Sequence, residues 1–142
     1  MNILLLNGPN LNLLGQRQPE LYGHTTLSDI ETALTTRAEA QRHWVEAFQT
    51  NHEGQMIDRI HAARQNANAI IINPGAWSHT SIALLDALNA FEGRVVEVHL
   101  SNIHQRESFR RHSYISSRAE GVIAGLGAYG YTAALDFLLA GD

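Results

Sequence analysis

Five short apolar runs, separated by segments of helical periodicity, constrain the fold of this chain more than any other feature. Each run is too short for a typical helix, and most are apolar throughout, as expected for strands buried on both faces. Strands that alternate with helices form βαβ units, which predicts an α/β fold with a mostly parallel sheet covered by helices on both faces. The five predicted strands are Ile3–Leu6, Trp44–Phe48, Ala69–Ile72, Val95–Val98 and Gly121–Ala124.

Cap residues and apolar spacing place the predicted helices. Thr25–Asp29 offers N-cap candidates for the first helix, and Ser78 or Thr80 can cap the helix before the fourth strand. The last helix is predicted to run from Ala133 to Leu139. The buried face of the helix before the fourth strand is expected to comprise Ile82, Leu85, Leu88 and Ala90.

The composition excludes several kinds of chemistry. All ten basic side chains are arginines and there is no cysteine. A side-chain imine, a P-loop lysine, a disulfide and a thiolate metal site are therefore ruled out. The eight histidines show no metal-ligand spacing, so no metal site is predicted.

Charge and hydropathy narrow the possible partners. The net charge of −4 argues against a nucleic-acid partner. No apolar run is long enough to span a membrane and no signal peptide is visible, which fits a cytoplasmic protein. An anion or carboxylate site is expected instead where the arginines cluster, at Arg106, Arg110, Arg111 and Arg118.

A long irregular segment, Asn7 to Gly23, follows the first strand. Loops of this length inside compact domains are usually binding loops or lids. Within it, Arg17 and Tyr22 could perform chemistry, because a nearby guanidinium lowers the pKa of a tyrosine from its usual value of about 10. The alternative is an exposed arginine and a packed tyrosine.

Polar side chains follow the predicted strands where each one ends. In parallel sheets ligands bind at these carboxyl ends, although asparagine and serine also simply favour turns. On the fourth strand, Glu97 and His99 share one face, and a carboxylate beside a histidine favours a protonated ring that can act as a general acid. The alternative for this pair is a solvated edge position.

The segment Gly125–Gly130 matches the dinucleotide pattern G-x-G-x-x-G, but only twelve residues follow it. No second strand or ribose-binding acid can fit there, so this interpretation is rejected. The glycines are expected to let the last helix start tightly against the sheet or to pack against another subunit.

Four motifs in order along the chain resemble the type II 3-dehydroquinate dehydratases: NGPNLNLLGQRQPELYG from Asn7, NPGAWSHTS from Asn73, EVHLSN from Glu97 and FRRHSY from Phe109. The resemblance implies a flavodoxin-like three-layer sandwich with a five-stranded parallel sheet. It also implies a single catalytic domain, 1–142, with an active-site loop and lid at about 8–24. The implied reaction is reversible dehydration of 3-dehydroquinate to 3-dehydroshikimate by anti elimination through an enolate, in the shikimate or quinate pathway. No cofactor is implied, and the implied assembly is a homododecamer built as a tetramer of trimers.

The resemblance also assigns roles to residues of this sequence. Tyr22 matches the base that removes the C2 proton, and Arg17 matches the residue that lowers its pKa. Asn10 matches the amide that holds a water against the enolate oxygen. His99 matches the general acid for the C1 hydroxyl, and Glu97 matches its partner.

The remaining matched positions contact the substrate. Leu100 and Ser101 match the segment that binds the carboxylate, and Asp86 matches a residue that reaches a neighbouring subunit's site. The positions that match contacts to the substrate hydroxyls are Asn73, His79 and Arg110.

The residues at the strand ends also bear on three other functions. A flavin- or phosphate-binding module needs a phosphate loop after the first strand, which NGPNLNLL does not provide. A response-regulator-like domain needs acids where Asn7 and Asn73 stand. The third alternative is a non-catalytic oligomeric relative.

Overall fold

The sheet is parallel throughout and lies between two layers of helices. The computed structural model describes residues 1–16, 20 and 23–141. The strands are paired in the order β2-β1-β3-β4-β5. Their bounds are β1 Asn2–Asn7, β2 Trp44–Gln49, β3 Ala69–Asn73, β4 Arg94–His99 and β5 Gly121–Ala124. The α/β class and the five-stranded parallel sheet are thus confirmed.

Two hydrophobic cores fill the space between the sheet and its helices. On one face, Leu5 and Val98 pack against α1 and α4; on the other, Leu6 and Ile72 pack against α2 and α3. The edge strand β2 is less buried than its apolar sequence predicts, with Trp44 57% exposed. The helices are α1 Leu27–Glu39, α2 Glu53–Ala63, α3 Ile82–Asn89 and α4 Tyr129–Ala140.

The N-termini of two helices test the predicted caps. Thr26 caps α1 in a capping box with Asp29, within the predicted stretch. The prediction for α3 is wrong, because Ser81 accepts the hydrogen bond from the Leu84 amide while Ser78 lies in the preceding 3₁₀ turn. The buried face shifts accordingly: Ile82 is 56% exposed, and Leu84, Ala87 and Leu88 are buried.

The last helix begins four residues before the predicted Ala133, inside the glycine pattern. A Cβ on Gly130 would lie 3.3 Å from side-chain carbons of Ile123 and Val98. The amide of Gly127 donates to the carbonyl oxygen of Leu100. These contacts agree with a glycine stretch that lets α4 start tightly against the sheet.

The strand order places the site. From β1 the chain moves to β2 on one side and then to β3 on the other, so the switch point lies between β1 and β3. The loops that follow these two strands touch: the Gly8 amide donates to the Asn73 carbonyl, and a Cβ on Gly8 would lie 2.5 Å from the Pro74 oxygen. Only glycine permits this approach. Among the described helices, none has the length and apolar character to cross a membrane.

Candidate active site

A pocket of about 160 Å³ opens at the carboxyl ends of β1, β3 and β4. Its apolar wall includes Leu11, Leu14 and Ile103, and Arg106 contributes a cation. Seven residues predicted for the site line this pocket together: Asn10, Asn73, His79, His99, Leu100, Ser101 and Arg110.

Glu97 and His99 form a buried pair beneath the pocket. Both alternate along β4 with Val96 and Val98, which pack on the α1–α4 side, so the pair faces the opposite side of the sheet. The His99 Nε2 is hydrogen-bonded to Glu97 Oε2. Their side chains are 6% and 0% exposed. The alternative of a solvated edge pair is therefore wrong.

The Glu97 carboxylate has two further donors in the segment that follows β4. The Ser113 hydroxyl donates to Oε2 at 2.8 Å and the Ser116 hydroxyl to Oε1 at 2.7 Å. Burial opposes ionisation of Glu97, but the hydrogen bonds from His99, Ser116 and Ser113 outweigh it and lower the pKa of the carboxyl group. Glu97 is thus a buried anion that is hydrogen-bonded to the His99 ring.

His79, on the 3₁₀ turn after β3, lies beside His99. The two rings are stacked, with their centroids 6.3 Å apart. Burial lowers the pKa of His79, and the hydrogen bond from its Nδ1 to the His112 carbonyl, 2.9 Å long, only partly opposes this. The neutral ring that donates through Nδ1 leaves Nε2 as a hydrogen-bond acceptor. The serine hydroxyl next to it, of Ser78, donates to the Gly75 carbonyl at 3.1 Å.

Asn73 is held in place by a buried hydrogen-bond chain on the α1–α4 side. Its Nδ2 donates to the Tyr131 hydroxyl at 2.8 Å, and that hydroxyl donates to Asn7 Oδ1 at 2.6 Å. The Gly75 amide donates to Asn73 Oδ1. Tyr131 is fully buried, which raises the pKa of its hydroxyl well above the usual range and keeps it protonated.

Asn10 sits at the mouth of the pocket in the left-handed conformation, with φ 69°. The backbone amide of Asn10 donates to Asn51 Oδ1 at 2.9 Å. Gln49 Nε2 donates to that same oxygen and to the Gly8 carbonyl oxygen. The end of β2 therefore supports the loop after β1, so that the Asn10 side chain has a fixed base beside the pocket.

The arginine cluster divides into two kinds. Arg106 and Arg110 line the pocket, with Arg106 Nη1 3.3 Å from the Ser101 hydroxyl and Arg110 beside Glu107. Arg118 instead donates to the carbonyl oxygens of Leu88, Phe91 and Gly93 at the end of α3, so its assignment to the anion site is wrong. Arg111 is exposed and does not line the pocket.

Three predicted residues are not placed in this pocket by the structure. Asp86 is exposed on α3 and is absent from the lining of its own chain's pocket. Arg17 and Tyr22 lie outside the described residues. Within residues 1–16, 20 and 23–141, no cluster of histidine, aspartate and glutamate side chains could hold a metal ion.

The sequence gives no signal for the residues whose hydroxyl groups hold Glu97 and Asn73 in place. Ser113, Ser116 and Tyr131 are typical turn or core residues, and each makes its contact far along the chain. Ser113 lies within the FRRHSY motif, but nothing in that motif indicates its contact with Glu97.

This geometry defines a flavodoxin-like α/β enzyme that combines a buried carboxylate–imidazole pair with neutral acceptors and cations around one small pocket. A family model described as dehydroquinase class II matches residues 1–139. The chain belongs to this family, the type II dehydroquinases, and is an enzyme of the hydro-lyase class. The resemblance of the four motifs is thereby confirmed.

The chain is similar in sequence and structure to several dehydroquinases. The 3-dehydroquinate dehydratase of Cereibacter sphaeroides is 61% identical over 133 residues, which is 94% of this chain and 90% of that protein. The catabolic 3-dehydroquinase of Emericella nidulans is 56% identical over 135 residues, 95% of this chain and 88% of that protein. The crystal structure of type II dehydroquinase from Propionibacterium acnes has a TM-score of 0.94 at 45% identity, and covers 98% of this chain and 96% of its own.

Proposed function

We propose that this chain catalyses the reversible dehydration of 3-dehydroquinate to 3-dehydroshikimate in the shikimate pathway, by anti elimination through an enolate. The observation that carries the proposal is the buried Glu97–His99 pair beneath a pocket with neutral acceptors and arginines. The substrate is a polyhydroxylated carboxylate, so it needs an acid for its leaving hydroxyl and donors and cations for its other oxygens.

His99 is the proposed general acid. Its Nε2 faces Glu97, which leaves Nδ1 as the nitrogen that gives a proton to the C1 hydroxyl. The C1–O bond then breaks, water leaves, and a double bond forms between C1 and C2. The anionic Glu97 stabilises the protonated ring before transfer and fixes its orientation.

Tyr22 is the proposed base, by its match to the family motif. The C3 carbonyl makes the C2 proton acidic, and its removal by a phenolate gives an enolate. Arg17 favours the phenolate by its charge. A water held by Asn10 donates to the enolate oxygen, because developing charge is best stabilised by dipoles already in place.

Substrate binding is assigned to the rest of the pocket wall. Leu100 and Ser101 bind the carboxylate through backbone N–H and hydroxyl groups, and the two pocket arginines supply positive charge. The substrate hydroxyls are bound by Asn73, His79 and Arg110. No electrons are gained or lost in the reaction, so acid, base and dipoles suffice and no redox cofactor is required.

The assembly is proposed to be a homododecamer, a tetramer of trimers, in which Asp86 of one subunit reaches the site of its neighbour. The exposure of Asp86 and its separation from its own chain's pocket support this role. The exposed Ile82, four residues before it on α3, adds an apolar side chain to the same surface.

The proposal is tested by mixing the purified protein with 3-dehydroquinate and following the ultraviolet absorbance of the conjugated enone. The wild type should produce the absorbance, and Tyr22→Phe should abolish it while its circular dichroism stays unchanged. No absorbance from the wild type would overturn the proposed reaction. A near-normal rate for Tyr22→Phe would overturn the assignment of the base.

A second experiment separates the enolate route from an imine route. Borohydride traps an imine between substrate and a protein amine, and this chain has no lysine to form one. Treatment with borohydride in the presence of 3-dehydroquinate should leave activity unchanged. Covalent inactivation under these conditions would contradict the enolate mechanism.

A further inference from the structure

The carboxylate of Glu97 is fully buried and receives three hydrogen bonds. Ser116 occupies Oε1, while Ser113 and His99 share Oε2. A carboxylate can accept about four hydrogen bonds, so three donors nearly saturate it. Two of these three donors, Ser113 and Ser116, come from one short segment that is assigned no contact with the substrate. The two serines belong to the stretch around the 3₁₀ turn Ile115–Ser117.

We propose that Ser113 and Ser116 are positioning residues for the elimination, which fix the Glu97 carboxylate beneath His99 and set how tightly the Glu97–His99 pair holds its proton. The role assigned to the pair rests on the proposed function. The hydrogen bonds that support it are independent of any substrate.

The direction in which the serines shift proton release follows from comparing the pair with the His99 ring protonated and with the ring neutral. When the ring of His99 is protonated, its positive charge balances the carboxylate. When the ring is neutral, the buried anion depends on the two hydroxyl donors. Removal of the serines therefore destabilises the neutral-ring state more, so the pair should release its proton only at higher pH and become a weaker acid.

The other charged or titratable groups around the pair do not replace this effect. His79 stacks beside His99, and Arg106 and Arg110 line the same pocket. His112 contributes its carbonyl to His79. The hydrogen bonds to the Glu97 carboxylate come from His99, Ser113 and Ser116, so a change at either serine acts on the carboxylate directly.

A purely architectural role for the serines makes a different prediction. The Ser113 hydroxyl also accepts from the Ile115 amide at 3.2 Å, so it stabilises the turn. Ser117, on the same turn, is exposed and donates to the Tyr114 carbonyl at 3.1 Å without touching Glu97. It provides the matched control: Ser117→Ala perturbs the turn but leaves the carboxylate unchanged.

The kinetic test compares Ser113→Ala, Ser116→Ala and the double variant with Ser117→Ala. We expect the double variant to lose about tenfold in kcat with KM changed less than about twofold, because an acid used in the transition state is weakened. The alkaline limb of its pH–rate profile should move to higher pH. Ser116→Thr, which keeps the hydroxyl, should restore the wild-type profile.

A second readout does not need turnover. The NMR signals of the His99 ring, assigned by comparison with His99→Gln, are followed against pH in the resting enzyme. In the double variant the ring should lose its proton at higher pH than in the wild type and in Ser117→Ala. An inactive wild type would overturn the proposed reaction but leave this test intact.

The inference is overturned if both serine variants match Ser117→Ala in kcat, pH–rate profile and ring titration. It is also overturned if activity falls while neither the alkaline limb nor the titration moves, because that pattern indicates a structural defect alone. Should the double variant fail to fold, the single variants and Ser116→Thr carry the same comparison.

Discussion

The hydroxyl group of Tyr131 donates to Oδ1 of Asn7 over 2.6 Å, across 124 positions of sequence. The same hydroxyl accepts from Asn73, so one oxygen of the last helix ties together the ends of β1 and β3. Tyr131→Phe removes it and leaves two buried amide groups without their partner. We expect unfolding free energy to fall by about 1–3 kcal/mol, measured from urea midpoints.

The matched control is Tyr129→Phe, two residues earlier on α4 and 63% exposed. Surface changes of this kind usually shift stability by less than about 0.5 kcal/mol. Because Asn73 is assigned to a substrate hydroxyl, Tyr131→Phe should also raise KM. Equal stability for the two variants would contradict the role given to this hydroxyl.

The pH dependence of stability below neutral pH should report the protonation state of the His79 ring. Burial lowers the pKa of this ring below its usual 6.5, so the unfolded chain binds a proton there that the folded chain does not. The free energy of unfolding contributed by this site must therefore fall as pH drops below 6.5. His79→Gln removes this dependence, so urea midpoints of the wild type should decline more steeply between pH 7 and pH 5.5. Parallel declines would contradict a neutral His79.

Glu97→Gln tests the charge beneath His99. The glutamine amide has nearly the same size as the carboxylate but no negative charge to balance a protonated His99 ring. Its NH₂ group would also face the groups that donate to the carboxylate in the wild type. We expect kcat to fall by about 10²-fold or more with little change in KM. The control Glu120→Gln removes a carboxylate paired with Arg94 away from the pocket and should keep near-normal turnover. A similar kcat for both variants would rule out a role for the Glu97 charge.

Much of the fold could be predicted because its signals are local. Continuous apolar runs such as Ala69–Ile72 indicate buried parallel strands without knowledge of their neighbours. The errors arose where tertiary contacts decide. Ser81 rather than Ser78 caps α3, because Ser78 belongs to the 3₁₀ turn Gly75–His79. Tyr129 begins α4, where Gly130 packs closely against the sheet.

The site divides in the same way. Glu97 and His99 were predictable as a pair because a strand puts residues two apart on one face. The hydroxyls of Ser116 and Tyr131 were not, since their roles depend on which strand end they reach. Arg118 was misassigned for the converse reason: its neighbours in sequence line the pocket, whereas its guanidinium reaches the carbonyls at the end of α3.

The proposed contribution of Asp86 to a neighbouring subunit can be tested by complementation. Asp86→Ala and Tyr22→Phe should each be nearly inactive alone. If one site draws these residues from two chains, random mixing of dissociated subunits should restore about a quarter of wild-type sites, since each residue is intact with a probability of one half. Mixing should therefore recover turnover.

The double variant Asp86→Ala/Tyr22→Phe mixed with Tyr22→Phe is the control for complementation. No subunit in that mixture has an intact Tyr22, so no site should be restored. Recovery in the control, or none in the mixture of single variants, would contradict a shared site.

The most direct test of the mechanism is to determine which of the two hydrogens at C2 of the substrate is lost. 3-Dehydroquinate is prepared with deuterium at C2 either on the face opposite the C1 hydroxyl or on the same face, and the product is examined by mass spectrometry. An anti elimination between a base on one side and protonated His99 on the other predicts loss of the label from the opposite face and its retention on the same face. Retention of the opposite-face label, with loss of the other, would contradict the account.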